Sequence, residues 1–217
     1  GNNKFIQVST QENTYVSMYF GNVFTETGTY TVDFKYVDFL KMSEKEKRGF
    51  SRVPDMQYGN QKVKFLCGVV LEINNQKYYV PVTSFKEQRP DNFLIKTAKG
   101  QVVSSLRFNY MFPVPDEFIR VREIATEPDR AYRSLLAQEL RYCIKNQETI
   151  RYLAQRTYKR VMLGKNPGLV ANSCDFKYLE GKCLEYSKKR VDVKGKEHHG
   201  GMTNEDSVMF VGRTRRK

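Results

Sequence analysis

The stretch VKFLCGVVLEI, Val63 to Ile73, is the strongest strand signal in the chain, and the polar turn NNQK and the run YYVPV, Tyr78 to Val82, follow it directly. Dense β-branched and aromatic residues on both sides of a short polar turn read as a β-hairpin. The hairpin constrains everything around it. Shorter strands are expected at TYTVDF from Thr29, at FLIKT, VVSSLRFNYMF and FIRVREI, with Lys99-Gly100 marking a turn between two of them. KYVDFLKM places Tyr36, Val37, Phe39 and Leu40 at the spacing of a short amphipathic helix. A charged, proline-containing loop is expected from Ser43 to about Lys62.

After Pro128 the period changes from two to about three and a half. Leu135, Leu136, Leu140, Cys143 and Ile144 share one helical face. A second helix starts near Glu148, buries Ile150, Leu153, Ala154, Val161 and Met162, and stops at the breaker between Gly164 and Gly168. Phe176 to Tyr186 forms a third. Strands followed by helices indicate an α+β fold with helices packed on a twisted antiparallel sheet. Residues 1–28 read as an extended N-terminal arm, and residues 188–217 as a basic C-terminal extension in which VMFV could add a strand.

The 217 residues carry 37 Lys+Arg against 24 Asp+Glu, a net charge of +13. Such an excess attracts polyanions, nucleic acid first, although a merely soluble basic protein or one touching anionic lipid has the same balance. No apolar run approaches the roughly 20 residues of a membrane span, and the N-terminus lacks the basic and apolar regions of a secretory signal, so a cytoplasmic protein is expected. Cys67, Cys143, Cys174 and Cys183 show no C-x-x-C spacing and read as reduced core thiols. His198 and His199 sit together in a Gly-rich tail and read as solvated loop. No metal and no cofactor is expected.

Chemistry concentrates where the hairpin ends. VPVTSFKEQRP places Thr83, Ser84, Lys86, Gln88 and Arg89 within seven residues, at the point where a strand opens to solvent. If the chain stays extended, Ser84 and Lys86 lie on one side. Lys64, which opens the partner strand, is close in register. RNA cleavage needs a proton taken from the ribose hydroxyl, a proton given to the leaving oxygen, and stabilisation of the phosphorane charge. Hydroxyls can orient the phosphate and ammonium groups can meet its charge, so the cluster suits that reaction. Taken alone, the string T-S-x-K equally describes a hydroxyl-rich turn with a solvated lysine, or a serine capping a short following turn.

KYVDFL, KFLCGVVLEI and KYYVPVTSFK resemble, in order, the motifs of the ToxN/AbiQ family of type III toxins. RFNYMFPVP is similar to that family's strand ending in Met-x-Pro, the stretch from Ala131 to Lys165 to its long helical pair, and CDFKYLEGKCLEY to its terminal helix. The resemblance spans residues 29 to 187. It implies a twisted, barrel-like antiparallel sheet of SH3 type with packed helices. It implies a metal-independent endoribonuclease that cuts adenine-rich messenger RNA to a cyclic phosphate and a 5′-hydroxyl. It also implies inhibition by a small pseudoknotted antitoxin RNA, with toxin and RNA assembled into a hetero-oligomer. The residues matching Lys64, Thr83, Ser84 and Lys86 would line the active site, with the match to Tyr36 near it. Phe85 stands where the family commonly has proline, which changes the rigidity of the loop around Lys86.

For RNA contacts the expected residues are Tyr36, Gln88 and Arg89, with Arg130 and Arg133 on the first long helix and Lys159 and Arg160 on the second. The alternative for the helix cations is the solvated face of an amphipathic helix. Tyr58, Tyr78, Tyr79 and Tyr110 could stack on unpaired bases, at most one of Tyr78 and Tyr79 doing so because neighbours on a strand face opposite ways. The basic tail GRTRRK offers a further arm. A non-catalytic RNA-binding module, or a protein-binding one using an exposed sheet edge, remains the alternative to a nuclease.

Overall fold

In the computed structural model, residues 6–9, 15–18, 28–58 and 62–199 are described, with side chains over 28–56 and 64–189. The hairpin forms as expected, from β6 (Leu66–Ile73) to β7 (Gln76–Thr83). Asn74 and Asn75 carry φ of 48° and 62°. Two successive positive φ values make the tight turn whose twist suits a hairpin, and asparagine tolerates that conformation.

The main sheet is antiparallel and runs β11 (Ile119–Val121), β3 (Gly28–Val32), β6, β7, β9 (Val102–Arg107), β8 (Asn92–Lys96). β7 has a divided edge. Its middle pairs with the two-residue β10 (Phe112–Pro113), whereas Val82 and Thr83 pair with Leu106 and Ser105 of β9. A 3-10 turn over Phe108–Tyr110 separates the two pairings, so the expected single strand VVSSLRFNYMF is broken. Among the described residues the sheet ends on β11 and β8 and does not close, which corrects the barrel expected from the resemblance. Two small ladders lie apart, β1 (Ile6–Ser9) with β2 (Tyr15–Met18) and β4 (Gln57–Tyr58) with β5 (Lys62–Val63).

Five helices are described: α1 (Phe34–Arg48), α2 (Arg130–Lys145), α3 (Gln147–Met162), α4 (Pro167–Ala171) and α5 (Phe176–His199). α1 continues through what reads as loop from Ser43, because Glu44 is fully buried rather than solvated. Both Glu44 oxygens are used, by Arg48 and the Asp175 N–H on one side and by Ser51 and the Arg52 N–H on the other. The helix stops at Gly49, whose φ of 79° is a left-handed cap that glycine adopts freely. α5 likewise runs past the expected stop at Tyr186. The Lys, Arg and Glu residues that follow are good helix formers. VMFV and the basic tail lie outside the described residues, as do the side chains of Tyr58, His198 and His199.

The core lies between the sheet and the helices. Tyr78 and Tyr79 point to opposite faces of β7 and are both buried, so each face of this strand is covered and neither ring is open to a base. Gly68 makes the close approach possible: a Cβ there would stand 2.2 Å from the Tyr79 ring. All four cysteines are buried and unpaired, as expected. Among the described residues no helix is long and apolar enough to cross a membrane.

Candidate active site at the end of the hairpin

The Val82 N–H donates to the Phe65 carbonyl at 2.9 Å, extending the β6–β7 pairing in which Leu66 faces Pro81. One further step sets Lys64 opposite Thr83. The Lys64 N–H donates to the Met56 carbonyl at 2.9 Å, which fixes its backbone, and its side chain is half-buried. Continuing that register by one residue puts the backbones of Lys64 and Thr83 at the same level at the open end of the hairpin.

Thr83 is the last residue of β7 and pairs with Ser105. Their hydroxyl oxygens are 3.3 Å apart, and the Ser105 hydroxyl donates to the Phe85 carbonyl at 2.6 Å. Because Ser105 commits its proton to Phe85, Thr83 donates the shared contact, and its own oxygen keeps acceptor capacity. The chain then emerges with Ser84 exposed, Phe85 half-buried and Lys86 exposed. Alternation of an extended backbone accounts for this pattern. Phe85 is held from its ring as well: the Arg107 guanidinium lies 4.8 Å from it and 4.4 Å from the Tyr110 ring.

Beyond Lys86 the loop is tied down by Asn92, which is 2% exposed. Its Oδ1 accepts from the Gln88 side chain at 3.0 Å and the Arg89 N–H at 2.9 Å, and its Nδ2 donates to the Glu87 carbonyl at 2.8 Å. Arg156 of α3 donates to the Pro90 carbonyl at 2.6 Å. The loop that carries Ser84 and Lys86 is thus fastened at three points to β8, β9 and α3.

α2 approaches from the Lys64 side. Asp129 caps its first turn by accepting from the Ala131 and Tyr132 N–H groups, and the Tyr132 ring lies 6.2 Å from that of Phe65. Arg130 is exposed on this turn; Arg133 donates to the Glu127 carbonyl at 3.1 Å. Both stand at the end of the helix nearest Phe65. Lys159 and Arg160 lie in the last turn of α3, where cations complement the helix dipole. It is Arg156, a turn earlier, that meets the Ser84 loop. Tyr36 is corrected by the structure: it is fully buried, stacks on Phe118 with ring centres 5.1 Å apart, and donates its hydroxyl to the Pro113 carbonyl at 2.7 Å. A ring enclosed in this way has no face for a base.

Ser105, Arg107 and Asn92 neighbour the candidate site without any local sequence signal, and Arg156 is one of several cations on its helix. Ser105 and Arg107 are two apart on a strand, so alternation puts them on one face; that this face meets Phe85 depends on β7 pairing with β9. Among the described residues no group of His, Cys, Asp or Glu is arranged to hold a metal ion.

The family model described as Toxin ToxN, type III toxin-antitoxin system, matches residues 28–183. The chain belongs to the ToxN family. The ToxN endoribonuclease of Bacillus thuringiensis subsp. kurstaki is 28% identical over 180 residues, covering 77% of this chain and 88% of that relative. The AbiQ endoribonuclease of Lactococcus lactis subsp. lactis is 25% identical over 173 residues, covering 74% and 89%. Among solved ToxN-like structures, a type III toxin selectively inhibited by a non-coding RNA pseudoknot superposes with a TM-score of 0.65 at 25% identity, over 73% of this chain and 96% of that one. The lactococcal anti-phage endoribonuclease AbiQ superposes with a TM-score of 0.63 at 23% identity, over 74% and 98%, and bears on the fold alone. The matched region holds every element from β3 into α5 and leaves β1 and β2 outside the ToxN core.

Proposed function

We propose that this chain is the endoribonuclease toxin of a type III toxin-antitoxin system acting in phage defence, with residues 29–187 as the catalytic domain and the cytoplasm as its place of action. The observation that supports the reading is the Val82–Phe65 hydrogen bond, which continues the hairpin register to the level of Lys64 at the strand end that carries Thr83, Ser84 and Lys86. The relatives' names and the family match support the same reading.

In the proposed reaction the 2′-hydroxyl of the substrate ribose attacks the adjacent phosphorus and loses its proton. The bond to the 5′-oxygen breaks, and that oxygen takes up a proton. The products are a 2′,3′-cyclic phosphate and a 5′-hydroxyl. The Lys64 and Lys86 ammonium groups meet the negative charge that grows on the phosphorane oxygens. Ser84, exposed beside them, and the acceptor oxygen of Thr83 orient the phosphate and the attacking hydroxyl. These side chains supply charge stabilisation and orientation without a metal; the proton released by the 2′-hydroxyl passes to a water or a neutral lysine amine of this group, and the 5′-oxygen regains one from a water or an ammonium of the same group. Gln88 and Arg89 extend the site along the loop, and Arg130 and Arg133 flank it from α2. Lys159 and Arg160 offer further phosphate contacts on α3, within an overall charge of +13. Adenine-rich messenger RNA is the substrate. A repeated pseudoknot RNA is the inhibitor, as for the structurally similar toxin, and assembles with the chain into a hetero-oligomer.

Incubating the purified chain with adenine-rich RNA in excess chelator tests this. Discrete fragments are expected from the parent, with cleavage lost in Ser84→Ala and Lys86→Ala proteins that still bind RNA. Intact RNA with the parent protein leaves the non-catalytic RNA-binding module as the reading.

A further inference from the structure

A cavity of about 490 Å³ opens beside the Ser84 loop, between residues 88–93 and α3. Phe93 and Leu153, both half-buried, give it an apolar lining. Gln88, Arg89 and Arg156 give it polar groups. Its volume lies in the range of small-molecule sites, roughly 300–1,000 Å³.

Its charge sets it apart from a groove of similar size between α1 and α5. There Lys47 is tied to Asp175 at 2.8 Å and Lys182 to Glu185 at 2.7 Å, so two of its three lysines are matched by carboxylates of the lining. The lining beside the Ser84 loop contains two guanidinium groups and no carboxylate. Arg89 does meet Glu87 at 2.8 Å, but the two side chains are 55% and 70% exposed. An ion pair so open to water is weak and exchanges readily for a phosphate.

The polar atoms are also preset. Arg156 is anchored through the Pro90 carbonyl, which orients its guanidinium, and its Nε is buried with no partner. Gln88 spends its amide nitrogen on the Arg89 carbonyl and on Asn92, which turns its Oε1 into the acceptor available to a ligand. An apolar wall, a planar cation and one fixed amide oxygen are what an unpaired nucleobase needs for stacking and for recognition of its edge.

We infer that this cavity is a nucleobase subsite, which takes an unpaired base of the RNA strand lying across Ser84 and Lys86, packs it against Phe93 and Leu153, and reads its edge through Gln88. The inference rests on the proposed RNA substrate and names where that substrate is selected. Ser84 and Gln88 are four residues apart, a span of at most ~14 Å, so the base belongs to a nucleotide near the scissile phosphate.

Abasic scanning tests it. An RNA made uncleavable by one 2′-deoxyribose at the cut is synthesised with each flanking base removed in turn, and its binding is measured by fluorescence anisotropy. In the parent, loss of one particular base should weaken binding about tenfold. Leu153→Trp, which fills the cavity, should weaken binding of the intact RNA about tenfold and show no further loss at that one position, while penalties elsewhere stay as in the parent. Gln88→Leu, at an exposed position, should lose discrimination among the four bases there. Identical abasic penalties in the parent and Leu153→Trp, or unchanged base discrimination in Gln88→Leu, would overturn the subsite. A parent that shows the position-specific penalty yet never cleaves ribose-containing RNA supports the subsite and overturns the nuclease reading. A parent that cleaves with no position-specific penalty overturns the subsite alone.

Discussion

The Ser105 hydroxyl donates a 2.6 Å hydrogen bond to the Phe85 carbonyl, coupling a fully buried residue of β9 to the backbone between Ser84 and Lys86. Both proposed catalytic side chains hang on that peptide. Ser105→Ala frees the Phe85 carbonyl and leaves the Thr83 hydroxyl only the long 3.5 Å contact to the Ser105 carbonyl, at a cost of about 1–3 kcal/mol. Misplacement on the scale of an ångström costs on the order of 100-fold in rate, so cleavage should fall ~10–100-fold in a protein that still folds. Single-turnover cleavage set beside a thermal melt separates the two effects; a rate equal to the parent's would show that Phe85 is held in other ways.

Among the described residues Glu44 is the most heavily used buried carboxylate, joining α1, the segment from Ser51 to Val53 and the start of α5. Arg48, its partner at 2.9 Å, is only 15% exposed. Glu44→Ala leaves that cation with carbonyl acceptors but no counter-charge, takes the acceptor from the Arg52 and Asp175 N–H groups, and should destabilise the fold by ~3–5 kcal/mol. Urea denaturation of parent and variant measures it.

That carboxylate also shows where a sequence stops being legible. SEKEKR looks like solvent-facing charge, and only the far end of the chain, at Asp175, reveals why α1 continues through it. The hairpin, its Asn-Asn turn, α2 and α3 are local patterns and were readable as such. The break between β9 and β10 and the open edges of the sheet follow from which strands pair, information no local period contains. The same limit governs the site. Thr83, Ser84 and Lys86 fall within four residues and stand out, and the level of Lys64 follows from the hairpin register. Arg107 and Arg156 reach the loop only through tertiary contacts, while Tyr36 reads as a site aromatic and lies instead in the core.

Gly68 offers a packing test. A methyl group there meets the Tyr79 ring at 2.2 Å, and Tyr79 is itself 2% exposed with little room to move. Gly68→Ala should lower stability by ~1–3 kcal/mol, the usual range for overpacking. Adding Tyr79→Leu should recover part of the loss, a coupling read by a double-mutant cycle of denaturation midpoints.

Glu180 carries a pH prediction. It accepts hydrogen bonds from Tyr78 at 2.7 Å and Tyr158 at 2.8 Å, and burial pushes its carboxyl above the ordinary value of 4.5 even though these bonds oppose the shift. Above 4.5 the unfolded chain has released this proton while the folded chain still holds it. The Glu180 contribution to stability is therefore present below 4.5 and declines as pH rises through the folded value. Glu185, held down at about 2 by Lys182 and Lys189, has the opposite slope. The readout is accordingly the difference between parent and Glu180→Gln melting temperatures, with the parent losing ground to the variant as pH rises from 4.5. A difference independent of pH would contradict the assignment.

In the proposed mechanism Lys64, Thr83, Ser84 and Lys86 cut RNA by directing its own 2′-hydroxyl at the neighbouring phosphorus. The most direct test of this mechanism is cleavage of one RNA and of the same RNA with a single 2′-deoxyribose at the cut, by the parent and by Lys86→Ala. The parent should cut the all-ribose strand to a cyclic phosphate and leave the substituted linkage intact, and Lys86→Ala should cut neither. Cleavage of the substituted linkage by the parent, or undiminished cleavage of the all-ribose strand by Lys86→Ala, would contradict it.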